Sequence, residues 1–241
     1  MKYLITVSYD GSKYWGLQKL KGKKTVQGEL EEVLSKLEGQ KVQVKSAGRT
    51  DRGVHAIDQK CHFELQKEYD PYRLRYYIDR STSKHLYIKS CEKIEDELFH
   101  ARFSVKNKTY LYKINIGPYD PIKEDYIYNY NKPLNIEKMK EAAKILSGPH
   151  NFKSFVIGKH KTYESIIDYI EITKKNDTIE VEIKGKAFYT YMVRNIVAIL
   201  ILHGANEINL ETIYEMIDNQ KKPIEYSKVP AGGLYLKKIE Y

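Results

Sequence analysis

Apolar and polar residues alternate along several short stretches of this chain, a pattern that predicts β-strands. Residues 2–9 place Tyr3, Ile5, Val7 and Tyr9 at every second position, so that one face of the segment is apolar or aromatic. The same two-residue period predicts further strands at about 41–46, 57–65, 86–88, 108–116, 166–173, 178–184 and 233–239.

Between these strands, apolar residues recur every three or four positions, which predicts helices. Thr25 is a residue type that caps helix N-termini, and the apolar face of the helix after it begins with Val26 and Leu30. Further helices are predicted after Asp70, Asn135 and Asn209 and, in a largely apolar segment, at about 190–203.

The order of these elements predicts an α+β protein with a mainly antiparallel sheet and helices on one face. No Gly-rich nucleotide-binding loop follows a strand. Residues 1–106 and 107–241 each contain a strand, a long amphipathic helix and further strands, so we expect two pseudo-repeated halves. The sheet face without helices would then be free to take a ligand.

Composition and charge narrow the class of partner. Lys and Arg total 41 against 32 acidic residues, which gives a net charge of +9 and attracts polyanions.

The histidines and the two cysteines have no zinc-ligand spacing, so no metal site is predicted. The longest apolar stretch, 196–202, is too short to cross a bilayer, and Met1 leads directly into a strand pattern. We therefore expect a cytoplasmic protein.

The loop at 47–56, Ala-Gly-Arg-Thr-Asp-Arg-Gly-Val-His-Ala, carries the most specific chemistry. One carboxylate, Asp51, lies between Arg49 and Arg52, and glycines on both sides permit a tight turn. A nearby guanidinium holds a carboxylate in its ionised form. The loop is therefore either a solvated hairpin with a surface ion pair or the seat of a reactive carboxylate.

This string resembles the catalytic motif of the tRNA pseudouridine synthase A family, in which the aspartate is the essential residue. Other motifs in the same order strengthen the resemblance: Tyr9-Asp10-Gly11, Thr25-Val26-Gln27-Gly28, Phe99–Phe103 with Lys108–Tyr112, Leu146–Phe155, Tyr191-Met192-Val193-Arg194 and Pro230–Leu236. The chain also departs from the family pattern. Tyr14-Trp15-Gly16-Leu17 replaces aromatic-x-Gly-Trp, Asn151 replaces a common aspartate, and Ala198 replaces an expected glycine. The segment at 78–88 lacks a recognisable family element.

The resemblance implies isomerisation of uridine to pseudouridine in tRNA, with no cofactor. It implies that Asp51 is the catalytic carboxylate and Arg194 its basic partner, while Tyr110 stacks on the uracil and helps to handle the proton on carbon 5. It further implies that Leu234 closes the pocket and that Arg49 fills the gap left by a flipped-out nucleotide. From their charge we expect the loop lysines to bind phosphates: Lys19, Lys21, Lys23 and Lys24.

The family's fold, substrate and assembly extend these expectations. A member is expected to bind the anticodon stem-loop of one tRNA as a homodimer, to hold the RNA in a central cleft flanked by the two halves, and to modify positions 38–40. Two alternatives stay open, namely a paralogue acting on other tRNA positions or another RNA, and a catalytically silent RNA-binding protein. A metal-dependent nuclease lacks the clustered carboxylates that such sites need.

Overall fold

A computed structural model describes residues 1–218 and 223–241 of the chain. The strands are β1 (Lys2–Tyr9), β2 (Lys45–Ser46), β3 (His55–Glu64), β4 (Leu86–Ile94), β5 (Asn107–Asn115), β6 (Tyr128–Asn129), β7 (Gly148–Asn151), β8 (Glu164–Lys175), β9 (Thr178–Gly185) and β10 (Leu234–Glu240). The helices are α1 (Val26–Glu38), α2 (Pro71–Ser81), α3 (Ile136–Leu146), α4 (Met192–Gly204) and α5 (Leu210–Asp218). The predicted α+β class with mainly antiparallel pairing is confirmed.

The chain divides into two compact units. The first contains residues 1–106 and 235–241, and the second contains residues 107–234. The division predicted from the sequence assigned the last seven residues to the second half. They belong to the first unit because β10 pairs in parallel with β3, and Tyr235 also stacks on His55 with ring centroids 4.7 Å apart.

In the first unit, the strands lie in the order β4-β1-β3-β10, and β2 pairs with β3. The central strand β1 is antiparallel to both neighbours, so Ile5 lies opposite Cys61 on one side and Cys91 on the other. Thr25 caps α1, as predicted, because its side-chain oxygen accepts a hydrogen bond from the backbone N–H of Gly28 at 3.2 Å.

In the second unit, the strands lie in the order β5-β9-β8-β7, and β6 pairs in parallel with β5. Ile179, Val181 and Ile183 of β9 are fully buried and alternate with half-buried residues, as the two-residue period predicted. Helix α4 is buried along nearly its whole length, which explains its apolar sequence. None of the helices in the described ranges is long and apolar enough to span a membrane.

Parts of the predicted element pattern are wrong. The strand expected at 41–46 is limited to 45–46, because side chains of α1 bind the backbone before it: Ser35 accepts from Val42 N and Glu31 accepts from Val44 N. Strands β6 and β7 were not predicted, since they are short, are ordered by pairing with β5 and β8, and have no period of their own. The strand predicted at 86–88 extends to Ile94, and the remaining predicted strands and helices are confirmed to within a few residues.

Candidate active site

The first leg of the Asp51 loop is held by β3, the strand that follows the loop. The loop occupies residues 47–54 between β2 and β3. The backbone N–H of Ala47 donates to the carbonyl of Lys60 at 2.8 Å, and the side-chain amide of Gln59 donates to the carbonyl of Gly48 at 2.9 Å. Because Gln59 is fully buried, this bond fixes the loop to the core of the first unit.

The segment at 9–17 supports the loop from its other side. The hydroxyl of Tyr9 lies 2.7 Å from that of Thr50 in a buried hydrogen bond, and Leu17 N donates to the carbonyl of Thr50 at 3.1 Å. Gly16 has φ of +94°, and a Cβ on it would lie 2.9 Å from the carbonyl oxygen of Thr50. A glycine is therefore required both by the backbone angle and by the close approach of the loop.

A second close approach lies at the end of the loop. A Cβ on Gly11 would lie 2.0 Å from the carbonyl oxygen of Val54, and the N–H of Gly11 donates to Nδ1 of His55 at 3.1 Å. A backbone N–H can only donate, so Nδ1 of His55 is the acceptor in this bond. These contacts give a physical role to the Tyr9-Asp10-Gly11 motif.

Asp51 lies at the start of a tight turn in this supported loop. Its backbone carbonyl accepts from Val54 N at 3.1 Å, and Gly53 within the turn has φ of +81°. The side chain of Asp51 is half-buried, whereas Arg49 and Arg52 are exposed. The guanidinium carbon of Arg52 lies 3.8 Å from the ring centroid of Trp15. That a flanking arginine holds the carboxylate ionised stays a prediction.

All four candidate lysines are exposed. Lys19 and Lys24 lie beside glutamates, whereas, among the described residues, Lys21 and Lys23 do not. Lys19 lies 2.9 Å from Glu31, and Lys24 lies 3.6 Å from Glu29. Burial alone would raise the pKa of Glu31, but hydrogen bonds, including the one from Lys19, outweigh it and lower the pKa. Lys19 and Lys24 thus tie the loop to α1, whereas Lys23 lies over Trp15, with 4.1 Å between Nζ and the ring centroid.

In the second unit, Arg194 lies in the first turn of α4 and is only 9% exposed. Its Nε donates to the carbonyl of Val229 at 2.7 Å in a buried hydrogen bond. The residue before the helix, Tyr191, has φ of +62°, a left-handed conformation that asparagine tolerates better than tyrosine.

Tyr110, to which the resemblance assigns a role at the uracil, and Tyr112, to which it assigns none, lie on the same face of β5. Tyr110 is 8% exposed and lies against Phe188, with ring centroids 5.1 Å apart and the rings nearly perpendicular. Tyr112 is fully buried, and its hydroxyl donates to the carbonyl of Pro230 at 2.8 Å. Burial raises the pKa of Tyr112 well above its usual value, although the charge of Arg194 opposes the shift.

The Pro230–Leu236 segment includes Leu234, which is 5% exposed. A Cβ on Gly233 would lie 2.8 Å from the ring of Tyr112 and 2.8 Å from the carbonyl oxygen of Lys113. Gly233 is therefore fitted closely against β5. Sequence reasoning missed Tyr112 as the anchor of the segment, and the paired glycines 232–233 were the available signal for such a close approach.

The sequence profile of the family described as tRNA pseudouridine synthase matches residues 5–104 and 142–241. The chain belongs to this family. As a tRNA pseudouridine synthase, it is an RNA-modifying enzyme that isomerises uridine to pseudouridine in tRNA. The matched segments include Asp51, Arg194 and Leu234, whereas Tyr110 lies between them.

Individual relatives of this family align with the chain over its full length. It is 39% identical to tRNA pseudouridine synthase A of Malacoplasma penetrans over 243 residues, covering 100% of both chains. It is 37% identical to the Mycoplasma genitalium protein of that name, with 100% of this chain and 98% of the relative covered. It is 32% identical to tRNA pseudouridine synthase A 2 of Bacillus cereus, with 99% of each covered.

Proposed function

We propose that this member of the family converts uridine to pseudouridine in the anticodon stem-loop of tRNA, with Asp51 as the catalytic carboxylate. Full-length similarity to proteins named tRNA pseudouridine synthase A supports the substrate. The assignment of Asp51 rests on the observation that its loop is held in place by Gln59, by Tyr9 and by the close approach of Gly16. Such support holds a reactive group in one position without help from the substrate.

The isomerisation suits a single carboxylate. The bond between ribose C1′ and N1 of uracil breaks, the base rotates, and C1′ forms a bond with C5. The hydrogen on C5 leaves as a proton, and N1 takes up a proton, so no electrons are exchanged. An ionised Asp51 can attack C1′ as a nucleophile or remove a ribose proton as a base, and both routes need its negative charge.

The other site residues are assigned supporting roles. Arg194 is the basic partner of the carboxylate, and its burial supports this role because a buried guanidinium is costly unless it has partners. Tyr110 stacks on the uracil and handles the proton on C5, with its ring restricted by Phe188. Leu234 supplies an apolar wall for the base, and Arg49 replaces the flipped-out nucleotide in the RNA stack.

Binding of the tRNA depends on the exposed cations near the Asp51 loop. Lys21 and Lys23 are the stronger candidates for phosphate contacts. Lys19 and Lys24 each lie beside a glutamate, so a phosphate that bound either lysine would have to replace its attraction to that glutamate. We further propose that the protein acts as a cytoplasmic homodimer on positions 38–40. The alternative is that the protein is a paralogue that modifies other positions of tRNA. The observation in its favour is the order of Trp15, Gly16 and Leu17, which differs from the family pattern.

The test is Asp51→Asn, which keeps the shape of the side chain and removes its charge. Turnover is expected to fall below detection because an amide is a poor nucleophile and a poor base. The measurement is tritium release from 5-tritiated uridine in tRNA transcripts. Pseudouridine mapping on the same transcripts identifies the modified positions and separates the proposal from the paralogue.

The matched control is Asp168→Asn, the same charge change at an exposed position on β8, which should keep wild-type turnover. Melting temperature and tRNA affinity are recorded for both variants, and both should stay near wild type. Turnover by Asp51→Asn within about tenfold of wild type, a difference of only about 1.4 kcal/mol in activation free energy, would show that Asp51 is not the catalytic residue.

A further inference from the structure

Trp15 is the one tryptophan of the chain, and it lies on the surface with 42% of its area exposed. Two residues later, Leu17 is 2% exposed. Gly16 separates them with φ of +94°, so the backbone changes direction between the two side chains. The family pattern has its tryptophan after the glycine, and this chain has it before the glycine. The indole is therefore on the outside of the loop here.

Two cations lie over this exposed ring. The guanidinium carbon of Arg52 is 3.8 Å from the ring centroid, and Nζ of Lys23 is 4.1 Å from it. Both distances fall well within the range of cation–π attraction. In the described ranges 1–218 and 223–241, the side chains of Lys23 and Arg52 make no ion pair with a carboxylate. The two positive charges are therefore held over the indole ring and are available to bind an anion.

The backbone joins these cations to the Asp51 loop. Trp15 N donates to the carbonyl of Lys24 at 2.9 Å, which closes the lysine loop at its base. Leu17 N donates to the carbonyl of Thr50 at 3.1 Å, and Arg52 directly follows Asp51. The group of Trp15, Lys23 and Arg52, here called the cationic platform, is therefore attached to the same backbone that positions Asp51.

We propose that the cationic platform binds a phosphodiester of the substrate RNA next to the nucleotide on which Asp51 acts. Arg52 and Lys23 contact the phosphate, and Trp15 is a positioning residue that holds both cations. This inference rests on the proposed function for the identity of the RNA. A guanidinium stacked on an indole keeps its in-plane N–H groups free, and these match the oxygens of a phosphate. Because the cations are ordered before binding, less side-chain entropy is lost when RNA arrives.

The experiment measures tRNA affinity as a function of salt for Trp15→Leu, Trp15→Phe, Lys23→Gln and Arg52→Gln. Trp15→Leu keeps both charges and removes the ring, and it should weaken binding by about five- to tenfold. Trp15→Phe keeps an aromatic face and should restore most of the affinity. Lys23→Gln and Arg52→Gln should each reduce the slope of log affinity against log salt by about one, as the loss of a phosphate contact requires.

The matched control is Lys41→Gln, which removes an exposed charge between α1 and β2 and should change the slope little. Trp15 fluorescence gives an independent readout, since it is the sole indole and its emission should change when tRNA is added to the wild-type protein. Unchanged affinity in Trp15→Leu, or unchanged emission on tRNA binding, overturns the inference. Tritium release by the wild-type protein reports separately on the proposed function, so the two failures are distinguishable.

Discussion

Gly16→Ala tests how far the Asp51 loop depends on the segment that supports it. The new methyl group would meet the backbone of the loop, with its Cβ 2.9 Å from Thr50 O, 3.2 Å from Arg52 N and 3.3 Å from the carbonyl carbon of Asp51. These are backbone atoms, so the contact cannot be relieved by rotating a side chain. Either the loop moves by several tenths of an ångström or the glycine leaves its left-handed conformation.

The stability loss has two parts. An L-residue at φ of +94° costs about 1–2 kcal/mol, and steric crowding of a packed region adds about 1–3 kcal/mol. The matched control is Gly39→Ala, at the end of α1, where φ is +72° and a Cβ would have no atom within 4 Å. The control should lose only the first part, so the difference between the variants measures the contact with the loop.

Chemical denaturation gives the two free energies of unfolding, and tritium release gives turnover. We expect Gly16→Ala to lose about 2–5 kcal/mol and Gly39→Ala about 1–2 kcal/mol. Because small displacements of reacting groups reduce rates strongly, turnover by folded Gly16→Ala should fall at least about tenfold, with Gly39→Ala near wild type. Equal stability losses together with wild-type turnover in both variants would refute the argument that Gly16 positions the loop.

Two further predictions concern pH and metal ions. Burial, reinforced by the charges of His100, Lys2 and Lys45, lowers the pKa of His62 to about 4, so the unfolded state binds more protons between about pH 4 and 6.5. Stability should therefore rise with pH across this window, by about 1–2 kcal/mol after allowance for solvent screening, and His62→Gln should flatten the rise in denaturation curves. In the described part of the chain no group of three or more His, Cys, Asp or Glu residues could hold a metal ion, so turnover should survive EDTA when the tRNA stays folded. Loss of turnover that zinc or magnesium restores, while the tRNA stays folded, would contradict this expectation.

The sequence by itself determined the elements whose signals are local. The alternation in β1 and β9 and the side-chain caps at Thr25 and Asn135 depend only on residues within a few positions, so strands and helices could be predicted there. The family could also be identified from the sequence, because ordered motifs such as Gly48–Ala56 depend on residue identity and spacing alone. The membership implied by those motifs is confirmed by the matching profile.

Only the tertiary structure decided where the remaining groups lie. The backbone at Val42 and Val44 binds side chains of α1 in place of a strand, and the last residues pair with β3 from the far end of the chain. In the lysine loop, Lys19 and Lys24 lie beside glutamates, whereas Lys23 lies over Trp15. These outcomes depend on contacts between residues that are distant in sequence. The period and composition of a single segment therefore cannot predict such contacts.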